Sequence, residues 1–227
     1  VLASGRFAIG WGQMAGFMGA DVEVMEGSWR ASIDPATVEE RLRRDTGHAI
    51  KAILMVQIDT ASGVANDVKA VRKAIDSAGH PALFMVDGVA SLGCMPFEMD
   101  AWGVDVAMSA SQKGLMTPPG LGWLAVDAQA AAVAARNPAP RFYWDWRLRQ
   151  SPLSYRKFCG TPPQNLMAAL REIPVPALVR PAIAGEAAAR GEIPAARNSG
   201  TARRAASGTR PCVAPPSLPN AAVCGRG

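Results

Sequence analysis

Four apolar runs of strand length punctuate the chain at residues 49–58, 82–87, 104–110 and 121–126, and two of the gaps before or between them read as amphipathic helices. In the first helical stretch Asp34 and Pro35 supply an N-cap and a proline at the first helical position. Val38 and Leu42 then share a face, and the Glu39/Glu40 to Arg43/Arg44 pairs support a helix ending near Gly47. In the second, the reading places a cap at Asn66, puts Val68, Val71, Ala74 and Ile75 on one face, and stops at Gly79. Strands that are apolar on both faces and separated by amphipathic helices predict an α/β fold: a mainly parallel sheet sandwiched by helices. No internal repeat is found.

The chain of 227 residues is long enough to bury a good core. No stretch approaches eighteen consecutive apolar residues, so no membrane span is expected, and no partnership with a membrane. Val1 is followed by no basic-then-apolar leader, so no signal peptide is read. Four cysteines without CxxC spacing fit a reducing, cytoplasmic setting. Two histidines, His48 and His80, argue against a His-rich metal site, and no metal is expected.

The net charge of +5 would suggest nucleic acid if it were spread over a face, but it is not. Beyond Glu172 seven arginines stand against two glutamates, which accounts for the whole excess. The body is neutral, and no nucleic-acid partner is expected. Two domains follow. Residues 1–172 carry the α/β pattern; residues 173–227 form a Pro/Ala/Arg-rich tail with no aromatic residue, lysine or aspartate. Such a segment buries too little apolar side chain to offset its ordering entropy, so disorder is expected. An out-of-frame or mispredicted end of a GC-rich gene explains its composition better than a basic nucleic-acid arm does.

In open α/β sheets ligands gather beyond the carboxyl ends of the strands. Asp59, Thr60 and Ser62 follow the first apolar run; Asp87 ends the second; Ser109, Ser111, Gln112 and Lys113 follow the third. Lys113 is one of five lysines and has small or apolar neighbours, including the rigid "TPPG" turn. By spacing alone it is either a solvated loop lysine or a partly desolvated amine suited to Schiff-base chemistry. Asp87 is either a cap or turn residue or the partner of a buried cation. A pyridinium nitrogen is one such cation, and pyridoxal phosphate needs both a lysine and an acid.

The stretches "ASGVANDVKAVRKAIDSAGHPALFMVDGVASLG" and "MDAWGVDVAMSASQKGLMTPPGLGWLAV" resemble the class V aminotransferases, fold-type-I enzymes that use pyridoxal phosphate. The likeness runs from about Ser4 to Glu172 and points to their serine–glyoxylate and alanine–glyoxylate (serine–pyruvate) branch. It implies that residues 1–172 are part of the cofactor-binding large domain. It also implies an exchange of amino groups between serine or alanine and glyoxylate or another 2-oxo acid. Lys113 would hold the cofactor covalently and then carry a proton, and Asp87 would keep the pyridine nitrogen protonated. Trp11 would stack on the ring, Val89 would pack against it, Thr60 would stand near its oxygen, and Gln112 would contact the phosphate. Thr161, in "CGTPP", matches a residue that reaches the phosphate of a neighbouring subunit, which implies a homodimer.

Departures from the family pattern accompany the match. The chain begins downstream of the Ser-Gly-Thr-type loop that cradles the phosphate, and the C-terminal small domain with its carboxylate-binding arginine has no counterpart. Phe158 stands where a tyrosine is common, and Ala110 replaces a frequent glycine. Weak cofactor binding and poor turnover are therefore expected of this chain. Another class V activity, a lyase or desulfurase, and a non-catalytic remnant are the alternative functions. Gly10, Gly12 and Gly16 form only a GxGxxxG spacing, a weak dinucleotide signal.

Overall fold

The structure is a computed structural model that describes residues 1–139, 142–153 and 156–172. The expectation for 173–227 lies outside the described residues.

Six strands form one sheet in the order β2-β1-β3-β6-β7-β8. They are β1 (Leu2–Ala3), β2 (Met25–Glu26), β3 (Ala52–Val56), β6 (Leu83–Asp87), β7 (Val106–Ala110) and β8 (Gly122–Val126). Between β3 and β6 the chain makes a two-stranded hairpin, β4 (Ile58–Asp59) with β5 (Val64–Ala65). The helices are α1 (Arg6–Phe17), α2 (Pro35–Arg44), α3 (Val68–Ser77), α4 (Ala128–Arg136), α5 (Trp146–Arg149) and α6 (Gln164–Glu172). The first five strands of the order run parallel, and β8 pairs antiparallel with β7. No helix among the described residues is long and apolar enough to cross a membrane.

Register divides the strand residues between two faces, because side chains alternate along each strand. Ile53 pairs with Phe84 and Met55 with Val86, and Val86 pairs in turn with Ala107. These join Val38 and Leu42 of α2 and Val68, Val71 and Ile75 of α3 in a single buried cluster. One residue out of step, Val56, Asp87 and Met108 lie side by side on the opposite face. That face meets α1 and carries the candidate site.

The helix caps show how local chemistry fixes the boundaries. The Asp34 carboxylate accepts the Ala36 amide at 2.9 Å, with Pro35 opening α2 as expected. At α3 the cap is Asp67, which accepts the Ala70 amide at 3.0 Å, rather than Asn66. Asn66 is buried and ties three segments together instead. Its Oδ1 accepts the Ile33 amide, while its Nδ2 donates to Ser4 Oγ and to the Val56 carbonyl. Gly79 ends α3 with φ +63°, a left-handed conformation that glycine adopts without a Cβ penalty.

Two connections differ from a simple alternation of strand and helix. Residues 88–105, between β6 and β7, contain no helix and are anchored by the buried Leu92, Phe97, Met99 and Trp102. The strand expected at 121–126 exists but folds straight back on β7. A parallel partner needs a crossover of a dozen or more residues, and the link 111–121 makes none. An antiparallel strand can leave one face open, and Leu124 of β8 is indeed 50% exposed.

Candidate active site

A cavity of about 610 Å³ opens between α1 and the sheet face bearing Val56, Asp87 and Met108. Its size falls in the range typical of small-molecule sites, roughly 300–1,000 Å³. Parallel strands end at the same edge of a sheet, so the residues just beyond β3, β6 and β7 converge there. Of the residues nominated from sequence, Trp11, Thr60, Asp87, Val89 and Lys113 all line this one cavity. Gln112 and Thr161 do not; both are exposed, Gln112 beside the lysine and Thr161 on the approach to α6.

Asp87 closes β6, half-buried, and its Oδ1 accepts the Val89 amide at 2.7 Å. Burial raises its pKa above the usual carboxylate value; the Val89 hydrogen bond works against that rise, and the negative charge of Asp59 adds to it. Its Oδ2 has no hydrogen-bond partner among the described residues. A carboxylate under this strain gains from a cation placed in the cavity.

Asp59 itself is fully buried and does a different job. Residue 5, the cap position of α1, is a glycine with no side chain to accept a helix amide. Asp59 fills that role from β4: its Oδ2 accepts the Ala8 amide at 3.0 Å and its Oδ1 the Ala61 amide at 3.2 Å. A Cβ on Gly5 would stand 2.3 Å from Asp59 Cγ, so the close approach demands glycine there. The helix that carries Trp11 is thereby fixed to the strand edge.

Lys113 is exposed, which departs from the desolvation its apolar neighbours suggested. What holds it is the backbone. Ser111 exchanges hydrogen bonds with Thr117, Pro118 and Leu121, and the Met116 amide closes a turn on the Lys113 carbonyl at 2.9 Å. Gly114 lies against the loop that follows Asp87: a Cβ there would meet the Leu92 carbonyl oxygen at 2.2 Å. Opposite it, Gly93 sits at φ +85° with its own Cβ position 3.0 Å from Gly114. The Asp87 loop is tied in turn to β3, because Ser91 donates to the buried Gln57 and the Gln57 amide donates to the Asp87 carbonyl. Acid and amine therefore share one stiff frame.

The arrangement offers a carboxylate with a free oxygen, an amine on a held loop and a half-buried indole around one opening. Sequence reasoning missed Arg6, Phe7 and Trp29, which also line it. A clue to Phe7 was available, since Phe7 and Trp11 are four residues apart and would be neighbours on a helix.

Similarity to known proteins agrees with this geometry. The family described as Aminotransferase class-V matches residues 7–163. The serine–glyoxylate aminotransferase of Methylorubrum extorquens is 47% identical over 175 residues, covering 74% of this chain and 43% of that protein. The L-aspartate–glyoxylate aminotransferase of Paracoccus denitrificans is 40% identical, over 74% of this chain and 42% of its own length. Among solved structures, an alanine–glyoxylate aminotransferase from Nostoc sp. superposes with a TM-score of 0.67 at 31% identity, covering 76% of this chain and 45% of that one. The chain thus spans less than half the length of the relatives it matches. Over the span that it does share, fold and sequence agree, and this chain belongs to the class V aminotransferases.

Proposed function

We propose that residues 1–172 are part of the cofactor-binding large domain of a pyridoxal-phosphate-dependent aminotransferase. The reaction is transfer of the amino group of a small amino acid, serine or alanine, to glyoxylate or another 2-oxo acid. The observation that carries this reading is that Asp87 and Lys113 line the same cavity, with Trp11 beside them. The fit of the cofactor rests on Asp87: a half-buried carboxylate with one unpartnered oxygen suits a protonated ring nitrogen. The names of the relatives support the choice of substrates.

Pyridoxal phosphate, when bound, supplies an electron sink for the carbanion formed at the substrate Cα. The residues do the rest. The Asp87 carboxylate would hold a proton on the ring nitrogen, and a cation there would offset the burial that raises its pKa. The Lys113 amine would be the covalent anchor and would move a proton to and from the substrate Cα. Trp11 and Val89 would pack against the ring and exclude water, and Thr60 would offer a hydroxyl to its oxygen. Gln112 and Thr161 would serve the phosphate, Thr161 that of a partner subunit. We assign the working protein as a homodimer in a reducing cytoplasm.

Borohydride reduction in the presence of pyridoxal phosphate, followed by peptide mapping, tests the reading. Label is expected on the peptide bearing Lys113 and is expected to vanish in Lys113→Ala. Label that persists undiminished in that variant, or falls on another lysine, would overturn the assignment.

A further inference from the structure

Three charged side chains reach the cavity: Asp87, Lys113 and Arg6. In the function proposed above Asp87 is taken up by a ring cation and Lys113 by covalent attachment, which leaves the Arg6 guanidinium without a counterpart. The exposed Arg6, like Arg30, Arg136 and Arg171, has no side-chain hydrogen bond or ion pair among the described residues, whereas Arg41, Arg43, Arg44, Arg72 and Arg147 each pair with a carboxylate, and of all these only Arg6 lines the cavity. It is also the first residue of α1, whose first turn holds no acidic residue. The Asp59 carboxylate caps that helix end through the amides of Ala8 and Ala61 and makes no hydrogen bond or ion pair with Arg6.

We infer that Arg6 is an anion-binding residue of this cavity, which takes an oxyanion, a carboxylate or a phosphate, borne by a small molecule that enters it. The guanidinium presents a rigid fork of donors suited to either group. The inference rests on the proposed function for its two sources, the carboxylate of the substrate and the phosphate of the cofactor. It adds a contact that the sequence reading did not contain.

Trp11 and Trp29 line the same cavity, so the tryptophan emission of the cofactor-free full chain reports what binds there. Glycolate serves as the carboxylate probe, inorganic phosphate as the phosphate probe, and glycolamide as the uncharged control. At least one anion is expected to give a saturable change while glycolamide gives none. Arg6→Gln is expected to weaken that anion by about tenfold or more, the loss of a charge-assisted contact. Arg6→Lys, which keeps the charge and loses the fork, should fall between. An effect confined to glycolate identifies the substrate carboxylate as the source, and one confined to phosphate identifies the cofactor. Equal affinity in wild type and Arg6→Gln, no saturable change with either anion, or equal binding of glycolamide overturns the inference. Unchanged thermal unfolding of Arg6→Gln separates a lost contact from a damaged fold. Because no cofactor is added, failure here leaves the Lys113 labelling result standing, and failure of the labelling leaves this one.

Discussion

Asp87 carries opposite consequences for stability and for activity. Its pKa is raised, so the folded chain binds that proton more tightly than the unfolded chain does. The resulting penalty is complete above the folded pKa and is relieved as pH falls through it. Asp87→Asn is therefore expected to unfold at the same or a higher temperature than wild type at neutral pH without cofactor, with the difference closing in acid. The same variant should lose most of its borohydride labelling. Asp45 behaves in the reverse sense. The Ile50 amide leads in lowering its pKa to about 2, against some desolvation, with help from the Ala49 amide and His80. Its contribution is present above the ordinary carboxylate value near 3.8 and is lost as pH falls from there towards 2. Acid titration of thermal stability should show a shallower fall in Asp45→Asn than in wild type across that window, and lower stability above it. Neither role could be read from the residues alone. Asp87 stood out as a carboxylate ending an apolar run, but Asp45 takes part of its lowered pKa from His80, thirty-five residues away.

At the level of elements, the sheet was legible because period and punctuation are local signals. The run 82–87 became β6, and the helix ending at Gly79 became α3. Direction was not legible for β8, since a short apolar run reads the same in a hairpin as in a crossover. The cap at Asp67 was missed because its neighbour Asn66 is an equally good cap by type; only the burial of Asn66 among Ser4, Ile33 and Val56 separates them. The convergence of Asp87 and Lys113 was legible, as both follow strands of one direction. The glycine contact that sets their spacing was not. Gly114→Ala puts a Cβ against a backbone carbonyl that cannot rotate away. Overpacking of this kind costs about 1–3 kcal/mol. Calorimetry should register that loss, and pyridoxal phosphate should bind more weakly to the variant because the lysine loop shifts.

Across the whole molecule, apolar surface is unevenly placed. Phe17 and Met18, at the end of α1, are 94% and 85% exposed. Large apolar groups left in water on one helix end suit the homodimer proposed above. Sedimentation velocity should find a dimer, and Phe17→Ser combined with Met18→Ser should shift it to monomer; a wild-type monomer at micromolar concentration would rule the assignment out. Arg6 and Trp29 escaped the sequence reading for a reason that belongs to this scale, since a helix and a loop reach the cavity only through the docking of α1. The back-to-back approach of Gly93 and Gly114 has a further consequence. Two chain segments about twenty residues apart interlock there without side chains, so neither can accept a bulkier residue unless its neighbour retreats. Drift at one position is vetoed by the other.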